Sequence, residues 1–224
     1  DLKENESLLI MTEIPSLPLA RACYLEAIKV GAHPRIHITD NTFSEIMLKN
    51  ANETQLKKII EYDKVRMQSF DAYLTLWGTD NTRSMANVSA ERMKISAQGR
   101  KEITSMFYER LAREETRWCG TLHPCQADAQ EGNMSLQDFE DFVYEACKLN
   151  ESDPVTYWMN IKQQQDKICT YLNQKSKIRI ISEDTDLSLT VSGRKWINCS
   201  GNVNFPDGEV FTGPVEDSVE GYIR

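Results

Sequence analysis

Short apolar runs alternate with amphipathic stretches through the first half of this 224-residue chain. Ser7-Leu-Leu-Ile-Met11 is bounded by polar residues and offers none from Leu8 to Met11, the pattern of a strand covered on both faces. Leu19, Ala20, Cys23, Tyr24, Ala27 and Ile28 then recur every three or four positions, the period of a helix face, and Gly31 stands where that helix would stop. Arg35-Ile-His-Ile38 predicts a strand, Glu53 to Phe70 a helix, Ala72-Tyr-Leu-Thr-Leu-Trp77 a strand, Arg100 to Arg113 a helix and Arg117-Trp-Cys119 an extended segment. Strands joined through helices run parallel, because each crossover returns the chain to the same edge of the sheet. The expected class is α/β, a parallel sheet flanked by helices.

Two helices with clear start signals follow. Ser135 precedes Leu136-Gln-Asp138 as an N-cap with an acid three positions on, and Phe139, Phe142, Val143 and Ala146 share a face. Asp153 and Pro154 supply a cap and first turn for a helix whose Trp158, Ile161, Ile168 and Leu172 line one stripe. After Lys177 the period changes to two: Leu187, Leu189 and Val191 alternate with polar residues, and Ser192-Gly193 predicts a turn with Lys195 to Asn198 as the returning arm of a hairpin. A domain boundary is therefore expected near Gln174 to Lys177, giving residues 1–176 as an α/β domain and 177–224 as the first β-strands of a second domain. Within the second, Asn202, Asn204, Pro206, Asp207 and Gly208 form a loop, and Glu209 stands where it re-enters the apolar pair Val210-Phe211, a setting that holds a carboxylate in one pose.

Composition excludes several classes. Hydrophobic residues at 40% and charged residues at 27% suit a packed core rather than disorder. The net charge of −8 argues against nucleic acid, whose phosphates require clustered Lys and Arg. No apolar run approaches the roughly 18–20 residues of a membrane span, and the first residues lack the basic and apolar regions of a signal peptide. No membrane association and a cytoplasmic location are expected. The six cysteines, Cys23, Cys119, Cys125, Cys147, Cys169 and Cys199, follow no framework spacing and are expected to be reduced.

Other polar groupings have structural readings. Cys119, His123 and Cys125 are three soft donors where a structural zinc takes four, and the expected role is a loop after a strand. His33 and His37 are four apart, but Pro34 argues against a helical metal face and leaves them on an exposed strand. Trp77-Gly-Thr-Asp80-Asn81 sits at the C-terminal end of a predicted strand, where open α/β sheets take ligands, yet Asp80 and Asn81 equally suit a capping turn. Glu216, Asp217 and Glu220 are expected at a solvated strand edge. No glycine-rich phosphate loop and no Gly-x-Ser-x-Gly elbow occurs, so nucleotide and serine-hydrolase roles lack their motifs.

The C-terminal segment Asn204-Phe-Pro-Asp-Gly-Glu-Val-Phe-Thr-Gly-Pro214, with Gly193-Arg-Lys-Trp-Ile-Asn198 before it and Val219-Glu-Gly221 after it, resembles the aminopeptidase T and aminopeptidase S family of thermophilic-type metallo-aminopeptidases. Thr116-Arg-Trp118, Met134 to Val143 and Asp153-Pro154 carry the likeness upstream. The resemblance implies metal-dependent removal of N-terminal amino acids from peptides, by a homodimeric hydrolase with a two-metal site that takes divalent ions such as Zn²⁺, Co²⁺, Mn²⁺ or Mg²⁺. It maps one metal ligand onto Glu209 and implies that the remaining ligands, a second Glu, two His and an Asp, lie beyond Arg224 with the catalytic Tyr. The expectation is an N-terminal domain plus the opening of a truncated catalytic domain, inactive on its own, with no catalytic residue assigned. The competing expectation is a non-catalytic α/β module that binds or assembles with a partner.

Overall fold

The computed structural model describes residues 2–224, which form two compact units meeting between Val143 and Tyr144. In the first unit, four strands alternate with helices: β1 (Ser7–Glu13), α1 (Leu17–Lys29), β2 (His33–Thr39), α2 (Asn41–Asn50), α3 (Glu53–Lys57), α4 (Glu61–Gln68), β3 (Ala72–Trp77), α5 (Ala90–Ala112) and β4 (Arg117–Leu122). All three pairings among them are parallel, in the order β2-β1-β3-β4. The α/β parallel sheet expected from the sequence is therefore present. β1 is interior to this order and β1 and β3 supply its core: Leu8, Ile10, Ala72 and Leu76 are buried against Ala20 and Ala27 of α1, with Ile10 and Leu76 fully excluded from solvent. Small residues on α1 let the helix lie close on the sheet.

Close packing also dictates two glycines. A Cβ on Gly120 of β4 would strike the Trp77 indole, so the bare glycine is what leaves room for that ring beside the strand. A Cβ on Gly78 would collide with Ser16 Oγ and stand 2.7 Å from Cys125 Sγ.

The helical reading of Glu53 to Phe70 needs correction. Asn52 and Gln55 form a reciprocal capping box that starts α3, but Lys58 and Ile60 are extended and split the segment before α4 begins. α5 starts at Ala90, ten residues before the expected Arg100. α2 was not anticipated, although its signals were there: Asp40 Oδ1 accepts from Thr42 N at 2.8 Å as N-cap, and Phe43, Ile46 and Met47 recur at helical spacing. Arg92 of α5 holds the end of α2 by donating to the Leu48 and Ala51 carbonyls. α6 (Gln126–Glu131) and α7 (Leu136–Ala146) follow, and the Ser135 cap is present, with Ser135 Oγ accepting from Asp138 N at 3.1 Å.

The second unit holds α8 (Pro154–Leu172) and short strands: β5 (Lys177–Ser182), β6 (Thr185–Thr190), β7 (Ile197–Cys199), β8 (Asn204–Phe205), β9 (Glu209–Phe211) and β10 (Glu220–Tyr222). Asp153 caps α8 as expected, accepting from Thr156 N at 3.0 Å. The expected hairpin is corrected here. β6 pairs antiparallel with β5 through the two-residue turn Glu183-Asp184, whereas Ile197–Cys199 pairs with β9. A left-handed Gly193, φ +74°, and the bond from Arg194 N to Val191 O turn the chain away from β6 instead of returning it alongside.

Among the described residues the six cysteines form no disulfide, and Cys125, Cys147, Cys169 and Cys199 are buried. No described helix is long and apolar enough to cross a membrane.

Candidate metal centre

Glu209 opens β9, and the register of the β7–β9 pair sets it opposite Cys199. Gly208, at φ +131°, turns the chain into the strand in a conformation that a side chain disfavours. Its amide donates both to the Cys199 carbonyl and to Asp207 Oδ1, each at 3.0 Å. Asp207 and Glu209 flank this turn, and ligand atoms of Cys199, Asp207 and Glu209 lie within 4.8 Å of one another.

The platform under this turn is α8. Asn198 Nδ2 donates to the Lys162 carbonyl at 2.9 Å and to Asp166 Oδ1 at 2.7 Å, and Gln165 Nε2 reaches the Cys199 carbonyl at 3.4 Å. The Trp158 and Phe205 rings pack at 5.4 Å on the approach to the turn. A helix thus anchors β7, and β7 positions β9 through the pair.

Electrostatically the site is anionic. Burial pushes the Cys199 thiol up, and the neighbouring Asp207 and Glu209 charges push the same way. Among the described residues no Lys or Arg forms an ion pair with either carboxylate, and the buried Asp207 Oδ2 has no hydrogen-bond partner. Carboxylate oxygens and a thiol without a counter-cation, one oxygen of them buried and unpartnered, are donors that suit a divalent ion. Of this trio, only Glu209 was anticipated. Asp207 was visible two residues away, across the Gly208 turn; Cys199 comes in only through the pairing of β7 with β9.

The other groupings stay apart from this site. Cys119 lies in β4, while Cys125 starts α6 and its Sγ donates to the His123 carbonyl at 3.2 Å. His33 and His37 lie in β2, and His37 Nδ1 is 3.3 Å from the Tyr62 hydroxyl. The segment after β3 is a turn in which Asn81 Oδ1 accepts from Arg83 N at 2.9 Å. Glu216 pairs with Arg194 at 2.6 Å, and Glu220 belongs to β10. Near the C-terminal ends of β1 and β3, burial raises Glu13 and Asp128, and a desolvated Cys125 is pushed up to about 11.

The thermophilic metalloprotease (M29) family matches residues 1–224. The chain belongs to that family. It is 22% identical to Aminopeptidase 2 of Geobacillus stearothermophilus, across 100% of this chain and 59% of the relative. To Aminopeptidase AmpS of Bacillus subtilis (strain 168) it is 30% identical, across 47% of this chain and 28% of AmpS. The solved structure of wild-type AmpT from Thermus thermophilus superposes with a TM-score of 0.80 at 20% identity, over 98% of this chain and 59% of AmpT, and so shares the fold. The chain spans about three-fifths of the length of Aminopeptidase 2 and of AmpT.

Proposed function

We propose that this chain contributes to a metal-dependent aminopeptidase that removes N-terminal residues from peptides, and that Glu209 is one of its metal ligands. The observation that supports this most directly is the turn at Asp207-Gly-Glu209, held by β7, which gathers oxygen and sulfur donors whose carboxylates form an ion pair with no Lys or Arg among the described residues. The family and the aminopeptidase names of its relatives agree with that reading.

A divalent ion there would acidify water and polarise the scissile carbonyl. What the chain's own residues supply is position. The Gly208 amide bonds fix the turn, and α8 fixes β7 through Asn198 and Gln165, so the Glu209 carboxylate is held at a strand end rather than on a mobile loop. In this reading residues 177–224 open the catalytic domain, the two-metal centre takes further ligands from outside this turn, and the enzyme is a cytoplasmic homodimer.

The test is Glu209→Gln in the gene product that carries this chain. The substitution keeps the shape of the side chain and removes its charge. Metal content by mass spectrometry and hydrolysis of aminoacyl anilides should fall together, with the circular dichroism spectrum unchanged. A variant that keeps full activity and full metal content would refute the assignment.

A further inference from the structure

In the order β2-β1-β3-β4 the chain leaves β1 toward one side and β3 toward the other. Open α/β sheets take ligands in the crevice at such a reversal, outside the carboxyl ends of the strands. Glu13 ends β1, Gly78 and Asp80 follow β3, Cys125 caps α6 and Asp128 lies in its first turn. We infer that this crevice, built from residues of the first unit alone, binds the ammonium group of a small amine or of a peptide. The inference does not rest on the reading of Glu209.

Two observations carry it independently. The first is charge. Glu13, Asp80 and Asp128 gather at the crevice, and among the described residues none of the three forms an ion pair with Lys or Arg. Arg83, which lines the adjoining cleft, is taken by Glu131, with Nη2 3.1 Å from Oε2. Burial raises Glu13 and Asp128, and the charges of Asp128 and Asp80 push Glu13 the same way. Carboxylates so placed repel an anion and are relieved by a cation. The second is an unsatisfied hydroxyl. Ser16, the residue before α1, is 0% exposed, and its Oγ has no hydrogen-bond partner. It faces Gly78: a Cβ there would stand 2.3 Å from Ser16 Oγ and 2.7 Å from Cys125 Sγ, a sulfur that lies among the charges of Asp128, Glu13 and Asp80. Asp128 Oδ2 is buried without a partner as well. Buried polar atoms ordinarily make hydrogen bonds, and a cation carrying N–H groups would supply them to both.

Spacing and room decide which cation. Among the described residues, no trio drawn from Glu13, Asp80, Cys125 and Asp128 brings its ligand atoms within 4.8 Å of one another. The ligands of one zinc or magnesium ion, each about 2.0–2.3 Å from it, would have to do so. A bare ion of that size is therefore too small to bridge these groups. An ammonium reaches its acceptors at about 2.7–2.9 Å and offers three donors, enough for Asp128, Glu13 and Ser16. Beside them a cleft of about 290 Å³ opens between the loop after β3 and α6, lined in part by Asp80, Asn81 and Gln130. Ligand pockets span about 300–1,000 Å³ and are mostly apolar, so a small, polar cleft suits a short polar chain behind the ammonium rather than a large apolar body.

Calorimetric titration of the chain in EDTA with putrescine, with tri-alanine amide and with N-acetyl-tri-alanine amide tests this. One amine should bind per chain. Glu13→Gln and Asp128→Asn should each weaken it by about tenfold or more, the loss expected of a hydrogen bond to a charged group, and Ser16→Ala by less. Each variant is checked for native circular dichroism; Asp80→Asn, at an exposed position, should also weaken binding and keeps the test decisive if a half-buried acid proves necessary for folding. Glu216→Gln, an acid of the second unit, should leave the affinity unchanged. Binding of putrescine alone identifies a free amine as the ligand, and binding of tri-alanine amide alone identifies a peptide N-terminus. The inference is overturned if neither binds, if the acetylated peptide binds as tightly as the free one, or if Glu216→Gln weakens binding as much as Glu13→Gln. Mg²⁺ binding without EDTA that is lost in Glu13→Gln, with the amines failing to bind, would make the crevice a metal site and overturn it too. Glu209→Gln should take putrescine as the unaltered chain does, so this outcome is separate from the fate of the proposed metal ligand.

Discussion

Arg110 is the residue whose loss should be felt most widely in the first unit. Its side chain, 16% exposed, leaves the last turn of α5 and fans its guanidinium over four oxygens. Nη1 donates to the Met67 carbonyl at 3.0 Å and approaches the Tyr73 hydroxyl at 3.4 Å; Nη2 donates to the Phe70 and Glu115 carbonyls at 3.1 and 3.3 Å. One cation thus ties the end of α4, the entry to β3 and the turn before β4. A hydrogen bond to a charged donor contributes about 1.5–3 kcal/mol, but bonds sharing one donor are not additive, and some freed carbonyls will find water. Arg110→Ala should therefore cost about 2–4 kcal/mol, and Arg110→Lys less, because an ammonium keeps the charge but not the planar fork. Native-state hydrogen exchange of the Ala72–Trp77 amides is the assay of choice, since it reports opening of the first unit separately from the second. A loss below about 0.5 kcal/mol in Arg110→Ala, within the range of ordinary surface changes, would refute the reasoning.

Three further outcomes are expected. Gly78→Ala forces a methyl into Ser16 Oγ and the Cys125 thiol and should lower stability by about 1–3 kcal/mol in thermal denaturation; an unchanged midpoint would show that the neighbours yield freely. Asp71 is held below the usual carboxylate range because Ser7 Oγ and Ser7 N both donate to its Oδ2 at 2.7 Å, so its contribution is present above the unfolded carboxylate pKa and is lost as pH falls through the lower folded value. Asp71→Asn should accordingly flatten the acid limb of the stability profile, and an acid limb identical to that of the unaltered protein would contradict this. Cys125, pushed up to about 11 by desolvation, should be alkylated more slowly at neutral pH than Cys23 or Cys119, which are partly exposed; mass spectrometry of a timed iodoacetamide reaction gives the order, and early labelling of Cys125 would count against its burial.

The sheet was legible because its information is local. The run Leu8 to Met11, the spacing from Leu19 to Ile28 and the caps at Ser135 and Asp153 each dictate conformation within a few residues. What could not be read locally was choice of partner. The alternation at Leu187 and Leu189 correctly marked a strand, but whether Lys177–Ser182 or Lys195 to Asn198 lay beside it depended on the Glu183-Asp184 turn and on β9 competing for β7. The candidate site divides the same way. Glu209 came from its resemblance to a family motif; spacing alone would have left it a solvated loop acid. Asp207 and Cys199 escaped notice because one was read as a loop residue and the other only as a reduced thiol; the Gly208 turn sets the first beside Glu209, and strand register brings the second opposite it.

That register has a consequence for how this stretch of chain can drift. Surface loops ordinarily absorb insertions and deletions at little cost. Between Cys199 and Glu209 they should not, because successive residues of a strand face opposite sides, and a shift by one would turn the Glu209 carboxylate to the other face of the pair while leaving every amino acid in place. Here length is a protected quantity in its own right, alongside the identity of Gly201, whose φ of +87° a side chain disfavours.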